Sequence, residues 1–145
     1  MSHHINCLLI DDDVDDHEIF KLALETINES IFCVCIDRSI QAIEKLKTDI
    51  SFIPSIIFVD INMPVMNGME CFSEIKKIEH LKNVPVVFYS TFADAEKITK
   101  MKDLGAAGYF EKPTDIDVLT EKLSALFKDY NLIPGLLSGI NKSHS

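Results

Sequence analysis

Five short apolar runs alternate with stretches of helical spacing along this chain, and few folds accommodate that alternation. Ile5 to Ile10 is the first run, broken by one Asn and ended abruptly by Asp11. Phe32 to Ile36, Ile56 to Val59, Val84 to Tyr89 and Ala107 to Phe110 are the others. Each is too short for a helix and rich in Val, Ile, Phe or Tyr, which suits a strand covered on both faces. Between them, residues recur at a spacing of three and four. Ile19, Leu22, Ala23, Thr26 and Ile27 mark the first such stretch, and Ile40, Ile43, Leu46 and Lys47 the second. Met69, Phe72, Ile75 and Lys76 mark the third, Ile98 and Met101 the fourth, and Ile116, Leu119, Leu123 and Leu126 the last. Alternation of this kind implies right-handed crossovers and a parallel sheet with helices on both faces, a doubly wound α/β fold.

Length and composition bound the alternatives. A chain of 145 residues has room for one ordinary domain, and 47% apolar residues argue against disorder. The balance of 14 basic against 23 acidic residues, a net charge of −9, excludes non-specific nucleic-acid binding, which needs clustered Lys and Arg. No stretch approaches the roughly 20 apolar residues of a membrane span, and Met1 to Ile5 shows no signal-peptide pattern, so a cytoplasmic location is expected. Cys7, Cys33, Cys35 and Cys71 form no C-x-x-C pair and read as small buried hydrophobes. His3 and His4 precede any element and carry no assigned chemistry.

In open parallel sheets, sites form beyond the carboxyl ends of the strands. The residues just past the runs are Asp11, Asp12 and Asp13, then Asp37, Asp60, Ser90 with Thr91, and Glu111 with Lys112. Carboxylates, a hydroxyl and an ammonium therefore converge at one edge. Asp11, Asp12 and Asp60 would repel one another, a conflict that a divalent cation resolves, and Mg²⁺ is commonly held by one or two carboxylates plus a phosphate. Asp60 is the candidate nucleophile, able to hold a phosphoryl group as an acyl phosphate. Lys112 and the Ser90 hydroxyl could stabilise the phosphoryl oxygens. Asp15 and Asp16 read as solvated residues of a helix start. Pro64 and Gly68 shape a loop after Asp60 that would let the Asn62 carbonyl face the metal.

Leu8-Leu-Ile-Asp-Asp-Asp13, Ile57-Phe-Val-Asp-Ile-Asn-Met-Pro-Val-Met-Asn-Gly68, Val86-Val-Phe-Tyr-Ser-Thr91 and Gly108-Tyr-Phe-Glu-Lys-Pro113 together resemble the receiver domains of two-component response regulators. The resemblance covers about Ile5 to Lys128. It implies a five-stranded parallel sheet in the flavodoxin-like order 2-1-3-4-5. It also implies that Asp60 is the phosphoacceptor, Asp12 a direct Mg²⁺ ligand, Asp11 a ligand mostly through water, and Asn62 a carbonyl ligand, with Mn²⁺ as a substitute metal. Ser90 and Tyr109 would be the switch pair, Lys112 the phosphate-binding lysine, and Pro113 a cis proline. Such a protein is a phosphoacceptor switch, not an enzyme acting on a separate substrate, and catalyses its own phosphorylation and slow dephosphorylation. The implied partners are a sensor histidine kinase or phosphotransfer protein, and a target bound by the fourth helix, fifth strand and fifth helix; a homodimer remains open. Two positions depart from the common pattern. Phe92 is bulky for a residue near the phosphoryl entry path, and Thr114-Asp115 stands where an apolar residue is frequent.

Residues 1–129 are expected to make up the receiver and residues 130–145 a tail without an output domain, in which Leu132, Ile133, Leu136, Leu137 and Ile140 could dock on the domain or on a second subunit. Two rival functions remain. A haloacid dehalogenase-type phosphohydrolase would use Asp11 as nucleophile, leaving Asp60 unexplained and lacking room for a cap domain. A non-phosphorylated receiver-like binding module would usually lack an acidic or lysine position, and none is missing.

Overall fold

Each apolar run forms a strand in the computed structural model, which describes residues 5–91 and 93–130. The strands are β1 (Ile5–Ile10), β2 (Ile31–Ile36), β3 (Ile56–Val59), β4 (Val86–Ser90) and β5 (Gly108–Glu111). All pair in parallel, in the order β2-β1-β3-β4-β5. The crossovers carry α1 (Val14–Ile27), α2 (Ser39–Thr48), α3 (Gly68–Lys76) with a short 3₁₀ turn at Glu79–Leu81, and α4 (Ala95–Asp103); α5 (Ile116–Asp129) follows β5. No helix among the described residues is long and apolar enough to cross a membrane.

Alternation within the strands explains why the runs are continuously apolar. Leu8, Ile10, Ile57, Val59, Val86 and Phe88 face the layer of α2, α3 and α4, packing with Leu46, Phe72, Ile75 and Met101. Cys7, Leu9, Ile56, Phe58, Val87 and Tyr89 face α1 and α5, packing with Phe20, Leu24, Leu119, Leu123 and Phe127. Side chains at successive strand positions point to opposite faces, so a central strand with two covered faces has no polar slot.

Two local expectations are corrected. The buried face of α1 is His17, Phe20, Ala23 and Leu24, while Ile19 and Leu22 stay exposed. Phe20 decides the rotation: its ring packs edge-on against Phe58 at 4.9 Å and tilted against Tyr89 at 5.3 Å, burying more area than Ile19 or Leu22 could. β4 starts at Val86 instead of Val84, because Pro85 has no N–H to give the ladder; its carbonyl accepts from Ile57 N–H at 3.0 Å.

Candidate functional site

Strand order reverses direction between β1 and β3, the place where a doubly wound sheet opens a crevice at its carboxyl edge. Asp11 and Asp60 are the first residues beyond those two strands. Their backbones extend the ladder: Asp60 N–H donates to Ile10 O at 2.9 Å and Asp11 N–H to Ile36 O at 3.1 Å. Both side chains are therefore aimed by the sheet itself. Asp11, Asp60 and Ser90 are buried, whereas Asp12 is exposed.

Lys112, directly after β5, reaches across the crevice. Its Nζ lies 2.6 Å from Asp16 Oδ2, 2.9 Å from Asp11 Oδ2 and 3.5 Å from Asp60 Oδ2. The ammonium also sits over the Tyr89 ring, 5.4 Å from its centroid. Its backbone N–H donates to Ser90 O at 2.8 Å, which ties the ends of β4 and β5 together. One ammonium thus gathers carboxylates from the loop after β1, the start of α1 and the loop after β3.

That single cation is outnumbered. Burial pushes the Asp11 carboxyl up to about 7, and the Asp60 charge adds to the rise; the Lys112 contact and the Asp13 N–H, which donates to Asp11 Oδ1 at 2.9 Å, offset only part of it. Burial alone would lower the Lys112 pKa, but hydrogen bonds to Asp11 and Asp16 override it and hold the ammonium above its ordinary value. Carboxylate oxygens of Asp11, Asp12 and Asp60 lie within 4.8 Å of one another. This is a hard, oxygen-only donor set with surplus negative charge, and it fits a divalent cation. The Ser90 Oγ is buried without a hydrogen-bond partner among the described residues, a cost the fold bears unless an acceptor enters the crevice.

The loop from Asp60 to Gly68 is held closely. Asn62 N–H donates to Asp60 Oδ1 at 3.4 Å, and Gly68 N–H to Ile61 O at 2.8 Å. A Cβ on Gly68 would lie 2.3 Å from Asp60 O and 2.7 Å from Ile61 Cα, so only glycine lets α3 start against the Asp60 backbone. Val65 adopts φ 69°, an unfavourable conformation for a β-branched residue, while the buried Ser39 Oγ donates to Met66 O at 2.7 Å next to it. Asn67 and Glu70 close a capping box on α3.

Tyr109 is only partly buried and stands in register with Phe88, lining a cavity of about 410 Å³ with Ile98, Met101 and Lys102; Ser90 is in register with Glu111. The Lys112–Pro113 bond is trans, correcting the expected cis form. The Lys112 side chain reaches three carboxylates without it, and trans is the intrinsically favoured state. Asp13 caps α1 and Asp115 caps α5, which accounts for the polar residue after Pro113. Asp37 and Glu111 are exposed. Phe92, His3, His4 and the residues of the tail after Tyr130 lie outside the described residues. Sequence reasoning missed Asp16, which is a partner of Lys112 and not a solvated residue, and His17, whose Nε2 lies 2.6 Å from Asp11 O. It also missed Tyr89, whose ring backs the ammonium.

Comparison with known proteins agrees with this geometry. A family model described as the response regulator receiver domain matches residues 7–124. The chain is 31% identical over 121 residues to the transcriptional regulatory protein CrdR of Helicobacter pylori, covering 83% of this chain and 54% of that protein, so it spans about half of that relative's length. It is 30% identical over 118 residues to the chemotaxis protein CheY of Halobacterium salinarum, covering 77% of this chain and 94% of that protein. Its fold is similar to the phosphorylated cyanobacterial phytochrome response regulator RcpA, with a TM-score of 0.78 and 24% identity over 88% of this chain and 94% of that one.

Proposed function

The chain belongs to the response regulator receiver domain family, and from that premise we propose that it is a switch thrown by phosphorylation of Asp60. The observation that carries the assignment is the crevice at the β1/β3 switch point. There Lys112 pairs with Asp11, Asp16 and Asp60 beside a buried Ser90 hydroxyl that lacks a partner. A haloacid dehalogenase-type site would put the nucleophile at Asp11, but Asp11 is fully buried and bound to Lys112.

In the reaction, an Asp60 carboxylate oxygen attacks phosphorus. The new O–P bond replaces the donor's N–P bond, and the departing imidazole keeps the electron pair. Little covalent chemistry is asked of the protein beyond alignment and charge neutralisation. Lys112, already 3.5 Å from Asp60 Oδ2, shifts its donors to the phosphoryl oxygens, and Ser90 donates its hydrogen to one of them. Asp11, Asp12, Asp60 and the Asn62 carbonyl would hold Mg²⁺, or Mn²⁺ in its place, which supplies positive charge to the phosphoryl group when bound. Attack of water on the same phosphorus returns the Asp60 carboxylate, so the chain catalyses both its own loading and its own slow reset.

Readout follows from Ser90 moving toward the phosphoryl group while Tyr109 turns inward from its half-buried place between α4 and β5. The face of α4, β5 and α5 then changes for a target protein. The phosphoryl donor is a sensor histidine kinase or a phosphotransfer protein, and the setting is cytoplasmic. The test is intact mass after incubation with a small phosphodonor and Mg²⁺. A gain of one phosphoryl group that is lost in Asp60→Asn and only slowed in Asp11→Asn supports the reading; a gain kept in Asp60→Asn and abolished in Asp11→Asn refutes it.

A further inference from the structure

Outside the crevice, a second reactive arrangement lies on β2. Cys33 and Cys35 are two residues apart on one strand, so their side chains share the face under α1, and their Sγ atoms are 3.8 Å apart. That is sulfur–sulfur contact. Both residues are only partly buried, unlike Cys7 and Cys71, which are enclosed. Cys33 also lines a cavity of about 180 Å³ with Lys21, Leu24, Glu25, Ile31 and Phe32, which gives small molecules a path to the pair.

We propose that Cys33 and Cys35 form a peroxide-responsive dithiol, with Cys35 the attacking sulfur and Cys33 the resolving one. Cys35 Sγ attacks one oxygen of hydrogen peroxide, the O–O bond breaks, and the second oxygen leaves as water after taking the thiol's proton. Cys33 Sγ then attacks the sulfenic sulfur, the S–O bond breaks, and a second water leaves with the Cys33 proton. Both sulfurs are oxidised to one disulfide and the peroxide is reduced to two waters.

The surroundings divide the roles. The hydrogen bond shared with Cys33 holds the Cys35 thiol down at about 7, with His17 and Lys21 assisting against burial and Glu18. The same bond, together with burial, pushes Cys33 well above its usual range, which suits a thiol that waits for a sulfenic partner. Burial pushes Cys7 and Cys71 up to about 12, leaving them inert. Two residues along a strand advance about 6.6 Å, at the upper end of the roughly 4.4–6.8 Å that a disulfide spans between Cα atoms. The bond is therefore within reach of the two thiols without a large backbone shift. It forms where the sheet yields most easily, because β2 is an edge strand, paired among the described residues with β1 alone.

The test is substoichiometric alkylation and peroxide oxidation of the folded, full-length chain, read by intact mass and tryptic mapping. Residues 22–38 form one tryptic peptide that contains Cys33 and Cys35 and no other cysteine. Cys35 is expected to alkylate more than tenfold faster than Cys33, Cys7 or Cys71 at pH 7, as a partly ionised thiol against thiols that burial and hydrogen bonding keep protonated. Peroxide is expected to remove two hydrogen masses from that peptide, with reversal by dithiothreitol. Cys33→Ser should stop at a sulfenic acid trapped by dimedone, and Cys35→Ser should lose the fast step. First alkylation at another cysteine, a Cys7–Cys33 cross-link, a covalent dimer, or oxygen uptake with no disulfide would each overturn the proposal.

Discussion

The Asp11 carboxylate should weaken the metal-free fold, and removing its charge should strengthen it. Burial raises this group from its usual 3.8 to about 7, so the folded chain holds a proton that the unfolded chain releases. Between those values the unfolded state binds fewer protons, and stability falls as pH rises, by about 1.4 kcal/mol per pH unit. The contribution is fully present below about pH 4 and is lost by about pH 7. The window caps the effect at about 4 kcal/mol. Asn keeps the size of Asp11 but gives up its charge pairing with Lys112 at 2.9 Å, while Asp16 at 2.6 Å and Asp60 at 3.5 Å keep the ammonium paired, so the net gain for Asp11→Asn at pH 8 should be about 2 kcal/mol, half the cap. Urea denaturation in chelator at pH 5 and pH 8 measures it, with the variant removing the group's own slope. Excess Mg²⁺ should close the gap, since wild type gains about 2.7 kcal/mol at a hundredfold excess over its dissociation constant. An Asp11→Asn protein less stable than wild type at pH 8 without metal, or an unchanged pH slope, would refute the reasoning.

Gly68→Ala should destabilise the chain by about 2 kcal/mol or more and slow phosphoryl uptake, because its Cβ would meet Asp60 O at 2.3 Å; denaturation and mass kinetics check both. Phe20→Ala should cost about 3–5 kcal/mol in urea denaturation, whereas Leu22→Ala, at 55% exposure, should cost less than about 1 kcal/mol. Lys112→Ala should slow phosphoryl uptake about a hundredfold in stopped time courses, as a lost charge-stabilising donor does.

Much of this was legible because parallel sheets place chemistry at strand ends. Asp11, Asp60, Ser90 and Lys112 follow strands whose apolar runs are visible without a structure, and the structure brings Asp11, Asp60 and Lys112 together. Asp16 was not legible, since its role depends on Lys112, which lies 96 positions away. The α1 face was misread because Ile19 and Leu22 fit the helical period as well as Phe20 does, and only its ring contacts with Phe58 and Tyr89 break the tie. The Cys33–Cys35 contact was hidden in plain alternation: period two on a strand puts both thiols on one face, a signal that a search for C-x-x-C passes over. Pro113 shows the opposite error, an expectation carried by resemblance that the chain's own backbone does not follow.

The most direct measurement is to locate the phosphoryl group. Borohydride reduces an acyl phosphate on aspartate to homoserine, and peptide sequencing then reads the modified position. Loading the chain with a small phosphodonor and Mg²⁺ before reduction should give homoserine at position 60 and nowhere else. Homoserine at position 11, or loaded protein with no homoserine at position 60, would contradict the account.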